Sequence, residues 1–202
     1  LSYWGLQKYP QYRGMTGHEE IDCMYLKARL VDDMFDRLLK ELEARGELEH
    51  TVIVGVTDHY TYGIQDKEML LEQSGVTDPL LLEKTPCFIW SADAPALDVT
   101  KTLNTSDLLP TLLNLMGIPQ SYPYLGQDAF REDYPGYVLF PDGSWIQGNT
   151  VYNAGADALY CMQGDQTPGA AEEALAQKMS ALSQEYIAIN NLILETDYYR
   201  ER

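Results

Sequence analysis

The chain has 202 residues, enough to bury a real core as one domain or a domain with a small appendage. Fourteen Lys and Arg stand against 31 Asp and Glu, a formal net charge of −17. That balance argues against a nucleic-acid backbone as partner and against adhesion to anionic lipid through a basic face; acids spread along the whole chain read as a solvated surface.

Residues 1–18, LSYWGLQKYPQYRGMTGH, are rich in aromatic residues, Gly and Pro and read as an ordered loop. The chain opens on Leu1 rather than Met, so it is expected to be a piece of a longer protein. Tyr3, Trp4, Tyr9 and Tyr12 read as packing residues first and as the lining of a sugar or lipid-headgroup pocket second. From Glu19 a helical period takes over. Ile21, Met24, Tyr25, Ala28, Val31, Met34, Phe35, Leu38, Leu39 and Leu42 recur at steps of three and four, and Gly46 supplies the stop.

A strand at 51–57 follows at once, then a polar loop and an acidic stretch, KEMLLEQSGVTDPLLLEK, that is helical in part. A second apolar run, TPCFIWSA (85–92), has the continuous character of a strand covered on both faces of a parallel sheet. In NTSDLLPTLLNLMGIP, Thr105, Ser106 or Asp107 caps a helix, Pro110 sits near its first turn, and Gly117 with Pro119 ends it. Residues 1–118 thus read as part of an α/β sheet domain, and residues 119–202 as a small antiparallel α+β subdomain. Within the second, YVLFPDGSWIQGN reads as a hairpin around Pro-Asp-Gly, and TVYNAGADALYCM as a further strand pair. A closing helix runs from about Gly169 to Leu194.

Cys23, Cys87 and Cys161 are odd in number and widely spaced, so neither a zinc knuckle nor a disulfide framework is indicated. No apolar run reaches the roughly 18 residues that span a membrane, so any anchor is expected outside this chain.

The chemistry-bearing stretch is TVIVGVTDHYTYG, residues 51–63, whose strand runs directly into Asp58 and His59. In a parallel sheet the functional crevice lies beyond the carboxyl ends of the strands, where these two stand. A hard oxygen beside a neutral nitrogen suits Zn²⁺ or Mn²⁺ better than Ca²⁺. A hydrogen-bonded turn with no chemistry explains the same residues, and position alone favours the turn. His50 lies at the amino end of the strand and reads as a surface residue; His18 reads as a capping or surface residue. No GxSxG, GxGxxG, P-loop or HExxH occurs.

The order of segments carries more information than any one of them. YLKARLVDDMFDRLLKELEARGELEHTVIVGVTDHY, then TPCFIW, then NTSDLLPTLLNLMGIP resembles the carboxyl half of the sulfatase/alkaline-phosphatase superfamily. Within it the resemblance is closest to the lipoteichoic acid synthase group of phosphoglycerol transferases. FPDGSWIQ and TDYYR (196–200) resemble that group's carboxyl-terminal segments. The resemblance implies an alkaline-phosphatase-like sheet with flanking helices and a membrane-anchored parent on the extracellular face of the bacterial membrane. It also implies Asp58 and His59 as ligands of a divalent metal, Mn²⁺ first, with Zn²⁺ or Mg²⁺ as alternatives and Ca²⁺ disfavoured. The implied substrate is a phospholipid or glycerol phosphate, with phosphatidylglycerol as donor in cell-envelope polymer synthesis. The family's nucleophilic threonine and acidic ligand precede the helix at 19–46, and no segment here stands in for them. They are expected upstream of Leu1, which leaves no catalytic residue within the chain and a fragment without turnover. Two other readings remain: a hydrolase of sulfate or phosphate esters, and a non-catalytic binding module.

Overall fold

The computed structural model describes residues 3–76, 78–120, 122–162 and 167–200. The backbone divides into two compact units, Leu1–Ala96 and Leu97–Arg202, each with buried apolar side chains of its own.

In the first unit a helix α1 (Tyr3–Lys8) and a short 3-10 turn (Pro10–Tyr12) occupy the segment whose composition predicts a loop. The reason is tertiary. Leu6 is fully buried with Cys23 and Leu26 of helix α2 (Glu19–Arg45), and Tyr9 and Tyr12 pack on the same cluster. An isolated helix this short has no stability of its own in water. Tyr9 and Tyr12 are therefore packing residues, whereas Trp4 is exposed, with Lys8 Nζ 5.3 Å from its ring centroid. α2 ends where the sequence requires, on Gly46 at φ 70°, whose N–H donates to the carbonyls of Glu43 and Leu42.

The start of α2 is set by a buried carboxylate. Asp22 is 1 % exposed; its Oδ2 accepts from Gly14 N at 2.6 Å and its Oδ1 from Thr16 N and Thr16 Oγ1, both at 2.9 Å. Burial alone pushes this carboxyl up, but the hydrogen bonds from Thr16 and Gly14 together outweigh it and hold its pKa below the ordinary carboxylate range. The other flank of α2 places Ile21 against Ile64 and against Met69 and Leu70 of helix α3 (Lys67–Ser74). Asp66 caps α3 by accepting from Met69 N at 2.9 Å. Farther along α2 the apolar period continues without cover: Val31 and Met34 are about half exposed.

Strands β1 (Val52–Val56) and β2 (Cys87–Ser91) pair antiparallel, with Val54 opposite Ile89 and Val56 opposite Cys87. The covered parallel arrangement suggested by their apolar runs is not the one found. Val52, Val56 and Phe88 are exposed, because a short apolar run does not itself determine strand direction or cover. Gly55 has a specific role here. The Phe88 ring lies over it, and a Cβ at that position would stand 2.2 Å from the ring. Phe35 of α2 meets the same ring edge-on at 5.5 Å.

The second unit opens with a 3-10 turn (Thr105–Asp107) that leads into helix α4 (Leu108–Leu115). An antiparallel meander follows: β3 (Val138–Leu139), β4 (Trp145–Gln147), β5 (Thr150–Asn153) and β6 (Ala158–Cys161), ordered as in the chain. Both expected hairpins form. Phe140 N donates to Ser144 O across the Pro-Asp-Gly turn, and Gly143 sits at φ 93°. Helix α5 (Ala170–Thr196) sets Met179 into the core beside Trp145 of β4, whose Nε1 reaches Ser180 Oγ at 3.4 Å.

Asp107 is 2 % exposed and ties the irregular segment after α4 to the helix start. Its carboxylate accepts from Asn104 N at 2.9 Å, Gln127 N at 2.7 Å and the Tyr134 hydroxyl at 2.8 Å. Thr111 Oγ1 extends the network, donating to Asp107 O and accepting from Ala129 N.

Two outcomes test these carboxylates. Asp107→Ala orphans three donors and is expected to destabilise the chain by about 3 kcal/mol in urea unfolding, with Tyr134→Phe costing about 1 kcal/mol. For Asp22 the folded pKa is lowered, so its contribution is complete above the unfolded value of about 3.9 and is lost as pH falls through the folded value. The melting temperature of the wild-type chain should therefore fall below about pH 4. Asp22→Asn should be less stable at neutral pH and show a flatter acid limb.

Candidate metal centre

β1 delivers Asp58 and His59 to its carboxyl end, and the bend at residues 58–62 turns both side chains outward. Both are exposed, the Asp58 side chain by 89 % and that of His59 by 53 %. His59 Nδ1 lies 2.7 Å from the carbonyl oxygen of Tyr60. A carbonyl only accepts, so Nδ1 donates to it and Nε2 is the ring nitrogen left to face Asp58. That nitrogen stands 3.5 Å from Asp58 Oδ1. Two donors about 2.1 Å from a tetrahedral ion stand about 3.4 Å apart, close to the spacing of these two atoms. The Tyr62 ring packs on the imidazole at 4.6 Å and restrains its plane.

The structure thus brings Asp58 and His59 together and leaves the other histidines apart. His50 lies in a 3-10 turn before β1, at the opposite end of the strand. His18 precedes α2, and its side chain does not cap the helix; the Asp22 carboxylate instead organises the preceding loop. Among the described residues, no group of three or more His, Cys, Asp or Glu is placed to hold an ion. Two features of the site carry no sequence signal: the Tyr60 carbonyl that fixes the imidazole tautomer, and the Thr57 hydroxyl. Thr57 Oγ1 is enclosed directly before Asp58 and has no hydrogen-bond partner among the described residues.

Comparison with known proteins places this geometry in context. A family model described as Sulfatase matches residues 3–118, more than half of the chain. The chain belongs to the sulfatase family. Lipoteichoic acid synthase 2 of Bacillus subtilis (strain 168) is 26 % identical over 141 residues, covering 66 % of this sulfatase-family chain and 21 % of that protein. Lipoteichoic acid synthase 1 of the same organism is 28 % identical over 142 residues, 66 % of this chain and 22 % of that one. Lipoteichoic acid synthase of Staphylococcus saprophyticus is 28 % identical over 146 residues, with shares of 68 % and 22 %. The chain therefore spans about a fifth of the length of these relatives. The mixed helix and sheet of this sulfatase-family chain agree with a sulfatase-like α/β fold, and membership supports an enzymatic role at the family level. No helix among the described residues is long and apolar enough to cross a membrane.

The unpartnered Thr57 hydroxyl gives a test of local packing. Thr57→Val removes a buried polar group and is expected to raise stability by about 1 kcal/mol in urea unfolding. An unchanged or lower midpoint would mean that the hydroxyl has a partner in solution.

Proposed function

We propose that this chain contributes the Asp58–His59 part of a divalent metal centre to a phosphoglycerol transferase of the cell envelope. The observation that carries the reading is the His59 tautomer: Nδ1 is committed to a backbone carbonyl, and Nε2 faces the Asp58 carboxylate at ligand spacing. The similarity to lipoteichoic acid synthases supports transfer of glycerol phosphate from a phosphatidylglycerol-type donor at the outer face of the membrane. Manganese is the preferred ion and zinc the next, because a nitrogen donor beside one carboxylate disfavours calcium.

When bound, the ion would supply Lewis-acid stabilisation to phosphoryl oxygens. Asp58 would hold it through a carboxylate oxygen and His59 through Nε2, while the Tyr60 carbonyl and Tyr62 ring keep the imidazole in place. Two ligands bind an ion weakly, and a full site and a nucleophile require further groups. The chain alone therefore binds metal without turning over substrate. Hydrolysis of a sulfate ester is the second reading, supported by the family description, with the nitrogen ligand weighing against it.

Manganese EPR and calorimetric titration of the 202-residue chain test the metal assignment. Asp58→Ala and His59→Ala are each expected to weaken Mn²⁺ binding by about tenfold or more. Binding that survives both substitutions unchanged removes the assignment. No release of diacylglycerol from a fluorescent phosphatidylglycerol is expected from this chain with Mn²⁺ present, and turnover would contradict the half-site reading.

A further inference from the structure

The second unit contains a groove of ≈ 390 Å³ between the exposed side of α4 and the irregular segment after it. Its volume falls within the range of small-molecule sites. Polar lining comes from Asn114, Gln120, Tyr124, Gln127, Asp128 and Arg131. Pro110, Ile118 and Pro123 supply apolar surface between them.

Several observations set this groove apart from an ordinary surface dent. The described residues between α4 and β3 form no regular element, and this run exceeds the ~12–15 residues usual for irregular loops. Holding such a segment in one conformation costs backbone entropy, and its later part, from Gly126 to Arg131, is tethered. Gln127 N is fixed by Asp107, Ala129 N by Thr111, and the carbonyls of Ala129 and Arg131 by Lys101 Nζ. Gly126 lies so close to the 3-10 turn before α4 that a Cβ there would stand 1.9 Å from Ser106 O. The part of the groove wall from Gly126 to Arg131 is therefore preorganised.

Its hydrogen-bonding capacity is only partly used. Among the described residues, the side chains of Asn114, Gln120 and Tyr124 have no hydrogen-bond partner (neither protein donor nor acceptor). Gln127 accepts from Arg131 Nη1 at 2.8 Å and keeps its amide N–H donors free within the described set. Asp128 Oδ1 accepts from Phe130 N, which leaves Oδ2 as an acceptor. The charges decide the ligand class. Arg131 is bound in bidentate fashion to Asp133, at 2.9 and 2.7 Å, and this pairing raises the guanidinium pKa. The remaining charge on the lining is the Asp128 carboxylate, so no free cation awaits an anion.

We propose that this groove is a binding subsite for a neutral sugar. Interspersed amide donors and acceptors, a phenol and a carboxylate oxygen match hydroxyl groups, each of which donates and accepts. The proline, isoleucine and tyrosine surfaces suit the C–H face of a pyranose ring. The subsite needs neither the metal pair nor the transfer reaction, so its test is separate from theirs.

Titration of the metal-free, ¹⁵N-labelled chain with maltose, and separately with glycerol 1-phosphate, reads the groove directly. The expected result is saturable shifts with maltose at the side-chain amides of Asn114, Gln120 and Gln127. Asn114→Ala and Gln120→Ala should each weaken that binding about fivefold, with the melting temperature unchanged. Non-saturating shifts, shifts away from the groove, or binding untouched by both substitutions would overturn the proposal. Saturable binding of glycerol 1-phosphate in preference to maltose would overturn it too, by making the groove an anion site.

Discussion

A buried carboxylate held by N–H and O–H donors is the interaction on which the second unit depends, and the first unit repeats it. Asp107 fixes the entry of α4, the loop after it and Tyr134 through three bonds to one side chain. Asp22 likewise gathers Gly14 and Thr16 around the start of α2. An ionised group out of water is tolerated only when its oxygens are saturated, so each acid imposes one loop conformation on its surroundings. Burial of Tyr134 and its bond to Asp107 raise the phenol pKa well above its ordinary value, which keeps the hydroxyl a donor at every physiological pH.

The Asp58–His59 pair has the opposite character. Asp58 and His59 stand in water at the end of a strand in a two-stranded antiparallel sheet. Their order comes from short-range contacts: the Tyr60 carbonyl, the Tyr62 ring and the end of β1. The first unit thus presents a preset imidazole in a setting with two ligands and high dielectric. Such a setting orients donors well and holds an ion weakly.

The exposed apolar side chains have a related explanation. Val31 and Met34 on α2, with Val52, Val56 and Phe88 on the sheet, follow the periods that the sequence displays. Periodicity states which side chains would share a covered face; it does not supply the cover. The helix forms along its full length because local hydrogen bonds, the Gly46 stop and i,i+4 pairs such as Asp36–Lys40 act without tertiary partners.

Much of this protein was legible in the sequence because the relevant physics is local. The extent of α2, the Pro-Asp-Gly hairpin, the closing helix and the position of Asp58 and His59 all follow from period, turn chemistry and adjacency. The family was legible through the order of motifs. Tertiary structure decided the rest. It made a helix of Tyr3–Lys8 by burying Leu6, and it paired β1 with β2 antiparallel although their composition fits either direction. Among the described residues it also buried three acids, Asp22, Asp78 and Asp107. Gln127 and Tyr134 reach the Asp107 carboxylate from far along the chain, and no short window of sequence contains that convergence. The imidazole tautomer of His59 belongs with these outcomes, because it depends on the direction in which one carbonyl points after the chain has turned.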